Sequence, residues 1–145
     1  VRSAMSLTMS SIERDLFLSA LHVGIISIPR ASKGPLTVPI WYDYQPGGEV
    51  WAITDADSIK GKLLTKASRI SLCAQTETAP YQYVSVEGPF TTRPATQEEL
   101  LAMAIRYLGE EQGRAYAENS AGGGEGSIVV SIAPETWFSV DYNKM

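Results

Sequence analysis

Histidine and cysteine are almost missing from this chain: His22 and Cys73 are the single instances in 145 residues. One cysteine cannot form an intramolecular disulfide, which agrees with a reducing compartment. One histidine and one cysteine fall short of the four ligands of a structural zinc site. A triad built on His22 would need an exposed serine on a G-x-S-x-G elbow, and no such motif occurs. His22 is therefore read as structural, at a helix end, and Cys73 as a packing residue in a strand. Long apolar runs are also missing. The longest, Leu16 to Ile28, is interrupted by Ser19, His22, Gly24 and Ser27. A bilayer span takes about 20 residues. Glu13, Arg14 and Asp15 precede the run, the wrong flank for a signal peptide. The expectation is a soluble cytoplasmic protein. A basic excess is missing too: 12 Lys and Arg stand against 16 Asp and Glu, a net charge of −4. That balance argues against nucleic-acid binding, but a phosphate pocket needs only a few cations. Neither a P-loop nor a Rossmann glycine fingerprint occurs. The Gly122–Gly124 run precedes a strand and reads as a flexible turn, not a phosphate cradle.

What is present is an ordinary globular composition, 44% apolar. The length predicts one domain over 1–145, with 1–9 as a loose tail. Ser10 and Glu13 have capping-box spacing, and Ile12, Leu16 and Ala20 recur every four residues. They predict an amphipathic helix from Ser10 to about His22. Strands follow at Val23–Pro29, Leu36–Tyr44 and Glu49–Thr54. Pro39 inside the second implies an edge, a bulge or interrupted pairing, because proline cannot donate to a ladder. A short helix is predicted from Ser58 to about Lys66. Strands are then predicted at Arg69–Gln75 and Tyr83–Thr92. Thr96 with Glu99 repeats the capping box and opens a helix closed by Gly109, with a further helix over Glu110–Asn119. Closing strands are read at Ser127–Ile132 and Thr136–Tyr142. Six or seven strands with small helices predict an antiparallel barrel, since a parallel sheet would need a helix after nearly every strand.

Three stretches carry candidate chemistry. In WAITDADSIKGKLL, Trp51 to Leu64, a strand ends at Thr54 and a helix starts near Ser58. Two hydroxyls, helix-end N–H groups, Lys60 and Lys62 are the groups that bind a phosphate monoester. Ser58 and Lys62 share a helix face while Lys60 points elsewhere, so convergence requires an irregular first turn or two wrapping surfaces. A solvated basic helix is the alternative. In TVPIWYDY, Thr37 to Tyr44, the strand around Pro39 offers backbone groups and Trp41 and Tyr42 offer aromatic faces for a planar heterocycle. Packing of those aromatics into the core is the alternative. In YQYVSVEG, Tyr81 to Gly88, alternation puts Tyr81, Tyr83 and Ser85 on one face, and Gly88-Pro89 marks a break.

This order of strand, interrupted strand, strand ending in Thr, Ser-x-Lys at a helix start, R-I-S-L strand and V-E-G strand resembles the pyridoxamine 5′-phosphate oxidase-like superfamily. The likeness runs from about Glu13 to Tyr142. It implies a mostly β split barrel, homodimeric, with cofactors at the subunit interface. It implies that Val38, Pro39, Ile40 and Trp41 lie along a flavin or deazaflavin ring. It places Thr54, Ser58 and Lys60 at the cofactor phosphate and Lys62 as a further basic residue. It has Tyr83 reach the cofactor from the partner subunit. Ile59 replaces the arginine of the oxidase's Ser-Arg-Lys run, and no counterpart of the oxidase's C-terminal substrate segment occurs within these 145 residues. The P-I-W-Y-D-Y strand looks more like the branch that uses coenzyme F420, with FMN still open. Arg30 and Lys33 are candidates to neutralise an oligoglutamate tail, or are plain turn charges. The implied activity is hydride transfer between F420 or FMN and a small organic substrate. The alternative is a non-catalytic carrier or sensor of a flavin, F420 or a tetrapyrrole.

Overall fold

The computed structural model describes residues 6–120 and 126–145. The Gly122–Gly124 turn lies outside the described residues. Both capping boxes form. The Glu13 carboxylate accepts the Ser10 N–H at 2.7 Å and Ser10 Oγ accepts the Glu13 N–H at 3.2 Å, opening α1 (Ser11–Ser19). Thr96 and Glu99 do the same for α3 (Gln97–Leu108). α1 stops before His22 because Ala20 is extended and its N–H turns back to the Phe17 carbonyl.

The buried face of α1 is not the expected one. Ile12 and Leu16 are 72% and 64% exposed, whereas Leu18 is fully buried. Docking decides this. The Tyr42 hydroxyl donates to the Leu18 carbonyl at 2.7 Å, and the Arg14 guanidinium lies 3.9 Å over the Trp137 ring. These contacts fix the helix with the Ile12–Leu16 stripe turned outward. The loose tail expected over 1–9 does not reach Leu7–Met9. Asp141 donates its N–H to the Leu7 carbonyl, Met9 donates to Ser139 Oγ, and the Met9 side chain is buried.

Among the described residues, eight strands form an antiparallel sheet: β1 (Gly24–Arg30), β2 (Lys33–Ile40), β3 (Tyr42–Tyr44), β4 (Val50–Asp55), β5 (Arg69–Gln75), β6 (Gln82–Pro94), β7 (Ser127–Ile132) and β8 (Thr136–Asp141). The order is β2-β1-β5-β6-β7-β4-β3, with β8 also paired to β6. There is one strand more than expected because the segment Leu36–Tyr44 divides at Trp41. The sheet edges β2 and β3 meet there through the chain itself and not through a ladder. Pro35 and Pro39 sit on β2, an edge strand, where a missing donor is tolerated. α2 (Ile59–Leu64) fills the β4–β5 connection, and α3 with α4 (Glu110–Asn119) forms a helical hairpin before β7.

β6 belongs to both halves of the sheet. Gln82–Glu87 pair with β8, and Phe90–Pro94 pair with β7. The switch falls at Gly88, where the β7–β8 turn crosses the strand. The core is apolar and aromatic, with Tyr42, Tyr44, Ile26, Leu72, Val84 and Val130 at its centre. On the opposite face of β2-β1-β5-β6-β8, Pro39, Ile25, Cys73, Ser85 and Phe138 form one cross-strand row. Among the described residues no helix is long and apolar enough to cross a membrane.

Candidate functional site

The site is organised around Trp41, the residue between β2 and β3. The Tyr107 ring of α3 stacks on it at 4.9 Å with planes 6° apart, and Tyr116 of α4 meets it at 5.4 Å, tilted by 48°. Tyr107 also clamps the backbone beside Trp41. Its hydroxyl accepts the Tyr42 N–H at 3.1 Å and donates to the His22 carbonyl at 2.6 Å. Burial raises this phenol above its ordinary pKa, so it stays protonated and able to donate. Arg106 adds hydrogen bonds to the Tyr42 and Ala20 carbonyls and an ion pair with Asp43 at 3.4 Å. Nothing in the local sequence of β2 announces these partners. The signal is the spacing Leu100, Ala104, Tyr107, one inward stripe of α3.

Beside Trp41 lies an open cleft of about 300 Å³. Pro39, Ile40 and Trp41 form one wall, and Ile53, Thr54 and Lys60 the other, with Val23 and Tyr116 at the rim. Five predicted residues, Pro39, Ile40, Trp41, Thr54 and Lys60, thus meet in one hollow. Because β2 is a sheet edge, half of its backbone N–H and C=O groups point away from β1 and are open to a ligand.

The others stand elsewhere. Val38 packs its side chain against the core. Lys62 is exposed and outside the cleft wall, about 200° round the helix from Lys60. Ser58 is the N-cap of α2. Its hydroxyl donates to the Asp55 carbonyl at 2.6 Å and accepts the Gly61 N–H at 3.1 Å. Its hydrogen is therefore committed to the turn, so the 3.3 Å bond between the two hydroxyls is donated by Thr54 Oγ1, a long bond that a ligand oxygen would have to replace. α2 has only six residues, so its dipole adds little and Lys60 supplies the positive charge. Tyr83 pairs with Gln75 and Val140 on the outward sheet face. Two strands, β1 and β5, lie between it and β2, three strand spacings or roughly 14 Å, so it does not join the cleft of its own chain. Arg30 and Lys33 pair at the tip of the β1–β2 hairpin, about 20 Å of strand from Pro39. Arg30 Nε is used to hold the Gly34 carbonyl. These two are turn charges within the chain.

A second, more enclosed cavity of about 220 Å³ lies behind Trp41. It shares Trp41, Ile53, Thr54 and Tyr116 with the cleft. Leu100, Met103 and Ala104 of α3 close it, with Asp55, Ser120 and Ser127 as its further polar groups.

No protein-family model matches the chain, and no curated protein matches it by sequence. Its folded shape does have counterparts. The conserved hypothetical protein Rv2991 from Mycobacterium tuberculosis superposes with a TM-score of 0.77 at 20% identity, covering 99% of this chain and 92% of that one. An F420 reductase gives 0.72 at 14% identity, over 86% and 94% of the two chains. A putative pyridoxamine 5′-phosphate oxidase from Listeria innocua gives 0.63 at 9% identity, over 86% and 92%. The fold is the pyridoxamine 5′-phosphate oxidase-like split barrel. Its cleft here sits at the seam between β2 and β3.

His22 borders the clamp and is packed into it. Its ring stacks on Phe17 at 4.4 Å, and Nε2 lies 3.1 Å from the Phe17 carbonyl. Burial lowers its pKa below 6.5, the hydrogen bond to Phe17 opposing that shift. Below pH 6.5 the unfolded chain takes up a proton that the folded chain resists. Stability should fall as the pH drops from 6.5 towards the lower folded value, and His22 should contribute nothing to this slope above 6.5. Urea midpoints at several pH values should show a shallower decline for His22→Gln than for the wild type. Parallel curves would rule out His22 as the source.

Proposed function

We propose that the cleft beside Trp41 binds a flavin-type cofactor, such as coenzyme F420 or FMN, and that the chain uses it for hydride transfer to or from a small organic substrate. One observation carries this reading. An open sheet edge, an aromatic wall, a nearly buried threonine hydroxyl and a lysine converge in a single hollow. That set fits a flat ring followed by a phosphate. Two solved structures with this fold, an F420 reductase and an FAD-binding protein from Mesorhizobium loti, support the same reading.

The cofactor would supply the hydride chemistry. The chain's own residues would bind and orient. Pro39, Ile40 and Trp41 line the ring side, and the stack with Tyr107 keeps Trp41 in one orientation. Lys60 holds the phosphate by charge and hydrogen bond, and Thr54 Oγ1 would donate to it by turning its hydrogen away from Ser58 Oγ. Ile40 and Ile53, on opposite walls, give the ring an apolar lining from both sides.

The proposal includes a homodimer. The outward row carrying Phe138, 62% exposed, and the Ile12–Leu16 stripe are apolar surfaces that a second copy would cover. A partner's Tyr83 would then reach a cleft that the chain's own Tyr83 cannot. Cytoplasmic placement remains part of the proposal.

Titration with F420 and FMN, followed by fluorescence, tests the reading. Submicromolar binding of one is expected, with a dimer mass by light scattering. Lys60→Ala should weaken binding by about 1–3 kcal/mol, the worth of a charge-assisted contact. Failure of both cofactors to bind would sink the proposal. Tight binding with no reduction of any acceptor would favour a carrier or sensor.

A further inference from the structure

Arg106 and Arg14 are covered to nearly the same degree, with side chains 20% and 22% exposed, but they are not equally bonded. Arg106 sets all three guanidinium nitrogens against oxygens: Nε on the Tyr42 carbonyl, Nη2 on the Ala20 carbonyl and Nη1 on Asp43. Arg14 uses Nε alone, on Asp15 Oδ1 at 3.1 Å, and its Nη1 and Nη2 make no hydrogen bond among the described residues. Arginine and carboxylate commonly pair through two parallel bonds. Arg69 with Glu87 and Arg93 with Glu99 do so here, although both arginines are more open to water. A half-covered guanidinium with two idle nitrogens needs a partner from outside the chain.

Arg14 lines an open hollow of about 220 Å³. Three parts of the chain build it: α1 with Arg14 and Asp15, the end of β3 with Tyr44 and the turn at Gly47, and the β7–β8 corner with Trp137. It shares no lining residue with the cleft or with the cavity behind Trp41. Tyr44 stands three residues beyond Trp41, about 10 Å along β3.

We propose that this hollow binds a free α-amino acid, its carboxylate on the Arg14 Nη atoms and its ammonium on Asp15. The fork is held ready. The guanidinium lies 3.9 Å over the Trp137 ring while Asp15 fixes Nε, so little freedom is lost on binding. The turn amides do not compete for the carboxylate. The Gly47 N–H donates to the Tyr44 hydroxyl and the Gly48 N–H to the Gln45 carbonyl. Asp15 is half used as well. Its Oδ1 accepts from Arg14 and from the Tyr44 hydroxyl, both at 3.1 Å, and its second oxygen accepts no hydrogen bond among the described residues. A simple anion would gain from Arg14 and be repelled by Asp15, and a simple cation the reverse. A molecule with both charges one carbon apart gains from both.

The test titrates glycine, acetate and methylammonium into the full chain, followed by residue-resolved NMR. Glycine carries the two charged groups common to α-amino acids. It should give saturable shifts with a Kd of about 1 mM or lower. The Trp137 indole N–H and the Gly47 and Gly48 amides should move, and the Trp41 indole should not. Glycine should bind about tenfold or more tightly than either single ion, the least that one charge-assisted hydrogen bond contributes. Asp15→Asn keeps an oxygen for Arg14 and Tyr44 but removes the charge, so it should abolish the preference for glycine over acetate. The wild-type comparison needs no variant, so it decides the matter even if Asp15→Asn fails to fold. Acetate binding as tightly as glycine would overturn the proposal, as would shifts centred on Trp41 or no saturation at all.

Discussion

Alanine at Gly88 is expected to destabilise the protein more than any other single added methyl in the sheet. A Cβ built there lies 1.9 Å from the Ala133 carbonyl oxygen and 3.1 Å from its carbon. Both obstacles are backbone, so no side-chain rotation relieves them. Nor can the β7–β8 turn retreat. The Ala133 N–H donates to the Pro89 carbonyl at 2.8 Å and the Glu135 N–H to the Glu87 carbonyl at 3.0 Å, one bond on each side of Gly88. Moving the turn breaks both. Overpacking commonly costs about 1–3 kcal/mol, and this position should reach or pass the upper end. Small domains have only about 5–15 kcal/mol in hand. The urea midpoint of Gly88→Ala should drop sharply, whereas Gly34→Ala, with nothing within 4 Å of its added carbon, should stay near wild type. A wild-type midpoint for Gly88→Ala would show that the crossing is looser than described.

Gly61→Ala should damage the candidate site as well as the fold. Its Cβ would lie 2.3 Å from the Asp55 carbonyl oxygen and 2.5 Å from that of Ala56. The Asp55 carbonyl is the acceptor for the Ser58 hydroxyl, and the Gly61 N–H caps onto Ser58 Oγ. Shifting the turn therefore displaces the cap, and with it the positions of Thr54 and Lys60 relative to each other. A loss of about 1–3 kcal/mol in stability is expected. Cofactor affinity should fall at least as far as in Lys60→Ala, because hydroxyl and amine are both moved. Retained affinity in a folded Gly61→Ala protein would show that the ligand does not depend on this corner.

Features set by neighbours along the chain were legible in the sequence. Both capping boxes formed where Ser10–Glu13 and Thr96–Glu99 predicted them, and Ser58 caps α2 as its residue type suggested. Pro39 marked an edge strand for a local reason, its missing donor. Features set across the fold were not. The outward turn of Ile12 and Leu16 depends on Tyr42 and Trp137, which lie far along the chain. The clamp on Trp41 comes from a helix 65 residues later. Periodicity can say that α3 has an inward stripe, but not that Tyr107 ends on the β2–β3 seam. The sequence offers Ser58 as a ligand-facing hydroxyl. Only the three-dimensional turn shows its hydrogen directed to Asp55.

The two halves of the barrel differ in how far apart in the chain their partners lie. β1 with β2 and β5 with β6 are near neighbours, closed by short loops. β4 with β7 joins Asp55 to Ser127 across about seventy residues, with both long helices between. Among the strand ladders this closure spans the most chain, so it is entropically the most demanding of them and belongs late in sheet formation. Thr54 and both cavity walls depend on it. A molecule bound against Thr54 and Trp41 would therefore act as a clasp on a late-forming ladder, holding the folded state by mass action.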